Sequence, residues 1–191
     1  MESHEGALPC AAVGNLAAKT DDAIAVAALL GRAPQGAFAV VVRHADGQPL
    51  VIRNSPLLDD GRPMPTRYWL VGEPERTQVS RLESAGAVSE AERSVGLAAV
   101  TEAHVRYAAE RDRAVPADHV GPRPSGGVGG TRRGVKCLHA HYAWHLAGGD
   151  DPVGRWVAAR LANGAADRPS RATTTGGPVA AAERNIDREL A

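Results

Sequence analysis

The densest concentration of reactive side chains lies between Ser125 and Leu146. There a glycine run (Gly126, Gly127, Gly129, Gly130) precedes Arg132, Arg133, Lys136, Cys137, His139, His141 and His145. Thiolate and imidazole are side chains that zinc prefers. Guanidinium groups beside a glycine-rich turn are what a phosphate or carboxylate needs. The segment therefore offers two chemistries, metal coordination and anion binding.

The metal chemistry depends on helix phase. If residues 132–147 form one helix, Cys137, His141 and His145 share a stripe, each about 40° from the last, and His139 points elsewhere. Side chains four residues apart are separated by about 6 Å of rise and can converge on one ion. Cys137 and His145, roughly 12 Å apart along the axis, cannot both do so. One ion would take Cys137 with His141, or His141 with His145, and would need further ligands from elsewhere in the chain. The opposing reading is a buried helix. Leu138, Tyr142 and Leu146 border the histidines, Ala140, Ala143 and Ala147 cover the other side, and free cysteine is among the most buried residue types. A third reading makes Cys137 a nucleophile, acidified by the helix start, Arg133 and Lys136, with His141 as its base. Against it, the glycines precede the cysteine, whereas the phosphate loop of a cysteine phosphatase follows its nucleophile.

The anion chemistry rests on Gly129, Gly130, Arg132, Arg133 and Lys136 at the mouth of that helix, where backbone N–H groups and arginine forks can receive oxyanions. The fit to a P-loop fails: Gly129 and Gly134 have the right gap, but Val135 stands at the lysine position, Lys136 comes one late, and Cys137 replaces the magnesium-binding hydroxyl. A simple phosphate-bearing ligand remains compatible with these residues, as does a solvated surface loop.

The elements that must position these groups are legible from periodicity. Acidic Asp21 and Asp22 open an apolar run, Ile24 to Leu30, that ends at Gly31, which predicts a helix. Strands are expected over 37–43, 50–53 and 66–71, the first two joined by a turn at Asp46-Gly47. From Pro74 the pattern becomes helical. A short helix holds Val79 and Leu82 before Gly86. Ser89 with Glu92 reads as a capping box opening a longer helix to about Arg113, with His104 on its apolar face. Residues 114–130 read as a Pro/Gly-rich loop, and Pro152 to Leu161 closes the domain. Strands followed by helices predict an α+β fold with a small antiparallel sheet of about three strands. The expected organisation is a tail over 1–19, one domain over 20–161, and a tail over 162–191 with some helix-forming composition near 179–190.

Composition narrows the function classes. The 191 residues suffice for one ordinary domain with its own core, and 43% apolar with 23% charged residues is a globular balance. Basic and acidic residues number 22 each with no basic stripe, which argues against nucleic acid as a partner. Only Lys19 and Lys136 are lysines, so a general excess of arginine weakens the case for any single one. Two distant cysteines, Cys10 and Cys137, give no disulfide framework and point to a reducing compartment. No apolar run reaches the roughly 20 residues of a membrane span, and the N-terminus lacks a basic signal-peptide region, so a cytoplasmic protein is expected.

The segments Gly61-Arg-Pro-Met-Pro-Thr-Arg-Tyr-Trp-Leu70 and Gly134-Val-Lys-Cys-Leu-His-Ala-His-Tyr-Ala143, followed by Asp151-Pro-Val-Gly154, carry a further signal. Together they resemble a bacterial family, common in actinobacteria, known as a domain of unknown function. The resemblance runs from about Asp21 to Arg160. Members often lie beside genes for a septum-formation protein and an exopolyphosphatase-like enzyme, an association that leans towards phosphate chemistry or cell division. The family's usual pattern has Cys-x-Cys-Gly in the first hairpin and a cysteine after the third strand, which with Lys-Cys-Leu-His would suit zinc or an iron–sulfur cluster. Here the hairpin reads His44-Ala-Asp46-Gly47 and Gly72 takes the third position, so a four-cysteine cluster is excluded. The resemblance then implies a mixed site of His44 and Asp46 with Cys137 and His141, or a lost metal. Asp46 is equally an ordinary turn residue.

The sequence thus predicts one divalent, zinc-like metal held by Cys137, His141, His44 and Asp46 in a structural role, with no catalytic residue assigned. Two alternatives stand beside it: a phosphate- or polyphosphate-binding enzyme or sensor using Arg132, Arg133 and Lys136, and an interaction module with an unknown protein partner and no small ligand.

Overall fold

The computed structural model describes residues 20–166. The expected N-terminal tail and the helix-forming stretch near 179–190 lie outside the described residues. Within them the chain is α+β: α1 (Thr20–Leu30), β1 (Phe38–Arg43), β2 (Pro49–Asn54), β3 (Tyr68–Leu70), α2 (Glu75–Ser84), α3 (Ala87–Val95), α4 (Leu97–Arg113), α5 (Leu138–Leu146) and α6 (Pro152–Ala166), with a short 3-10 turn at Val128–Gly130. No helix among the described residues is long and apolar enough to cross a membrane.

The three strands form one antiparallel sheet in the order β1-β2-β3, with Val40 opposite Ile52 and Ile52 opposite Trp69. Because side chains alternate across a strand, this register puts Val40, Ile52 and Trp69 on one face. There they join Phe38, Val71 and the fully buried Val26 of α1. Val51, Tyr68 and Leu70 point the other way, into a larger core with Val79, Val100, Tyr107, Leu138, Trp144 and Val153 from the helices. The sheet is therefore covered by α1 on one side and by the helical layer on the other, and α5 packs directly against β3.

Three elements differ from the sequence expectation. The long helix expected after Ser89 is two helices, α3 and α4, broken at Gly96. The break has φ 84° and ψ 140°, a conformation glycine alone enters without strain. The residue preceding α3 is Gly86, so Ser89 is not a cap, and the Glu92 carboxylate instead accepts the distant backbone N–H of Val135 at 2.8 Å. The helix expected over 132–147 begins only at Leu138. At the C-terminal side, α6 continues through residues 162–166, the first part of the expected tail.

Candidate metal centre

Cys137 sits immediately before α5 in an extended conformation, φ −154° and ψ 119°. A thiol placed there does not follow the helical phase of the residues after it. Its Sγ lies 3.8 Å from Nδ1 of His139, in the first turn of α5. The same Nδ1 is 3.2 Å from Oε1 of Glu83, at the far end of α2. Ligand atoms of Glu83, Cys137 and His139 all fall within 4.8 Å of one another, and all three residues are half-buried.

The imidazole of His139 is held from behind. Its Nε2 lies 3.1 Å from the carbonyl oxygen of Arg76 and 3.1 Å from the hydroxyl of Ser80, both on α2. A carbonyl can only accept, so Nε2 donates, and Nδ1 is the nitrogen left to face Cys137 and Glu83. Glu83 is oriented as well: its Oε1 accepts the backbone N–H of Leu138 at 2.6 Å, which satisfies one orphan donor at the start of α5. Burial disfavours charge on His139. The hydrogen bond with Cys137 and the negative charges of Glu83 and Cys137 outweigh it and push the pKa up to about 9. The ring is therefore held positively charged at neutral pH, with its Nδ1 beside the carboxylate of Glu83.

His141, expected beside Cys137, is elsewhere. It is fully buried, and its Nδ1 lies 2.7 Å from Oδ2 of Asp151, which is also fully buried. The other carboxylate oxygen of Asp151 accepts the backbone N–H groups of Val153 and Gly154 at 2.9 and 3.0 Å, capping α6. The His141 ring also lies 5.8 Å from that of His104. His141 thus ties α5 to the start of α6. Helical phase joins His141 to Cys137 only where Cys137 belongs to the helix, and here it precedes it in an extended conformation.

His44 and Asp46 are also apart from Cys137. They line a cavity of about 490 Å³ with Gly72 and Glu73, and Cys137 is not among its lining residues. His44 Nε2 is 3.6 Å from Oε2 of Glu75. The Asp46 carboxylate accepts the backbone N–H of Gln48 at 3.0 Å, the self-bonded turn that an Asp-Gly corner favours.

The glycine-rich loop is tightly used. The N–H of Gly127 bonds the carbonyl of Thr131, that of Val128 bonds Nδ1 of His104, and that of Gly130 bonds the carbonyl of Gly127, at 2.7, 3.1 and 2.9 Å. A Cβ on Gly127 would stand 2.3 Å from the Cβ of His104, so glycine is required by close approach. The fully buried Arg111 holds the carbonyls of Ser125 and Gly126 from the other side. Arg132, Arg133 and Lys136 are exposed, and Gly129 and Gly130 belong to the 3-10 turn, separated from α5 by residues 131–137.

Residues 40–159 match the family described as a protein of unknown function, DUF501. The chain belongs to that family. No match was found among curated proteins or among solved structures. The DUF501 match starts within β1 and stops within α6, so it contains Glu83, Cys137, His139, His141 and Asp151, while α1 lies outside it.

Two members of this cluster escape a reading of the sequence, Glu83 and His139. The signal for His139 was its spacing of two from Cys137, which brings the side chains together only when the first residue is extended. Glu83 carries no local signal, because it reaches α5 from α2 through tertiary packing.

Proposed function

We propose that this DUF501 protein binds one divalent metal ion, zinc in kind, through Glu83, Cys137 and His139. What supports this reading is the convergence of a thiol, an imidazole nitrogen and a carboxylate within 4.8 Å. One sulfur, one nitrogen and one oxygen make a donor set suited to zinc, and softer than magnesium or calcium selects. The carbonyl of Arg76 behind His139 is the kind of outer partner that fixes the ring nitrogen of a ligating histidine. The ion would take the place of the proton on Nδ1, so affinity rises with pH up to the histidine's pKa of about 9.

The role is structural in the first instance. An ion here joins the end of α2 to the start of α5, two elements that share the apolar core through Val79, Leu82 and Leu138 and also meet through the Glu83–Leu138 hydrogen bond and the contacts of His139. His44 and Asp46 are not required for it.

Competition for zinc against a chromophoric chelator tests the proposal. The wild-type chain should withdraw one equivalent, and Cys137→Ser, His139→Ala and Glu83→Gln should each weaken binding by about tenfold or more, as losing a ligand does. Zinc left wholly with the chelator by the wild-type chain would refute the reading.

A further inference from the structure

Beside the trio lies a second cavity, of about 360 Å³, with Cys137 and His139 in its wall. Its other walls are largely apolar: Leu30, Tyr68, Trp69, Leu70 and Ala140. This volume falls within the range of pockets that hold small organic ligands. The cavity is open to solvent and reaches the residues through which the ion would be held.

Zinc takes four ligands, and the cluster supplies Glu83, Cys137 and His139, with no fourth His, Cys, Asp or Glu grouped with them among the described residues. The remaining position falls to something from outside the chain, and two of the three residues, Cys137 and His139, line the cavity. Arg76 also lines the cavity. Its Nε donates to Glu73 and its Nη1 to the carbonyl of Leu29, at 2.7 and 2.8 Å, while Nη2 has no hydrogen-bond partner among the described residues. A carboxylate has two oxygens and can meet both a metal and a guanidinium, whereas a thiolate or an amine offers only one donor atom.

We infer that the cavity admits a small monocarboxylate with an apolar or aromatic body, its carboxylate completing the metal's coordination beside Arg76 and its body lying against Trp69, Leu70 and Ala140. This rests on the metal reading above and extends it from a staple to a ligand-exchange site. The apolar walls supply the selectivity: a bare carboxylate gains nothing from them, while a phenyl ring removes its surface from water.

Cobalt(II) substituted into the full chain reports both steps separately. The probes are phenylacetate and acetate, which share the head group and differ in the ring. Phenylacetate should perturb the visible cobalt bands at concentrations about tenfold or more below those acetate needs. Thr66→Trp, which fills the cavity from the loop before β3, should abolish that advantage while the cobalt bands persist. Leu30→Trp fills it from α1 and serves the same purpose if the first variant does not fold. Cobalt bound but equally responsive to acetate and phenylacetate, or indifferent to both, would overturn the inference and leave the metal reading standing. An advantage that survives both tryptophans would likewise overturn the cavity assignment. Failure of the wild-type chain to bind cobalt would instead overturn the metal reading itself.

Discussion

Glu83 performs two tasks with one carboxylate: it accepts the first free N–H of α5 and faces the imidazole of His139. The two tasks separate by mutation. Glu83→Gln keeps an oxygen for Leu138 and removes the charge, so it should weaken metal binding with little loss of stability. Glu83→Ala also strands the N–H, at a further cost of about 1 kcal/mol in chemical denaturation. His141 gives the opposite pattern. His141→Ala leaves Asp151 buried without its partner and should destabilise the fold by about 3–5 kcal/mol, read in the same assay, while any folded fraction retains its metal affinity. His139, with its raised pKa, gives stability that is full below about pH 6.5 and lost as pH rises through about 9, and His104 acts in the opposite sense. Burial holds the pKa of His104 below the usual imidazole range, opposed by its hydrogen bond to the carbonyl of Gly134 and reinforced by the nearby His141. Below about pH 6.5 the unfolded chain takes up a proton that the folded chain resists, so this contribution is present above that pH and is lost as pH falls. Relative to their values at pH 7, denaturation midpoints at pH 5 should be higher in His104→Gln and lower in His139→Ala than in the wild type.

At the scale of elements, much of the architecture was legible because it follows local rules. Acidic residues mark the start of α1, β-branched residues mark β1 and β2, and Asp46-Gly47 marks their turn. The errors fall at helix starts whose partners come from other elements. α5 has no Ser, Thr, Asp or Asn at its cap; its first amide is satisfied by Glu83 from α2. A cap delivered across tertiary structure leaves no local pattern, so periodicity extends the helix back to residue 132 and gives Cys137 a helical phase that it does not have. The Ser89–Glu92 pair imitates a capping box, yet Glu92 is spent on Val135. Close helix–loop packing was equally invisible. The glycine run suggested an open cradle, but Gly127 is there because His104 leaves no room for a side chain. Gly127→Ala should therefore cost about 1–3 kcal/mol in thermal or chemical denaturation, as overpacking does. With the amides of Gly127, Val128 and Gly130 taken up internally, inorganic phosphate should raise the melting temperature little, and Arg132→Ala/Arg133→Ala should not alter that response.

For the whole molecule, the two cores divide the labour. The sheet with α1 and the helical layer supplies the burial that folds the chain, while the Glu83, Cys137 and His139 cluster sits where α2 meets α5 beside β3. An ion there adds to the stability of the folded state by mass action, by about 2.7 kcal/mol at a hundredfold excess of free ion over its dissociation constant. Zinc should raise the melting temperature of stripped protein by several degrees, and the gain should vanish in His139→Ala.

The most direct test is metal content by elemental analysis of untagged chain purified without chelator, with His139→Ala and His141→Ala run in parallel. Near-stoichiometric zinc is expected in the wild type and in folded His141→Ala, with its loss in His139→Ala. Zinc retained in His139→Ala but lost from folded His141→Ala, or no metal in the wild type, would rule out a centre built on Glu83, Cys137 and His139.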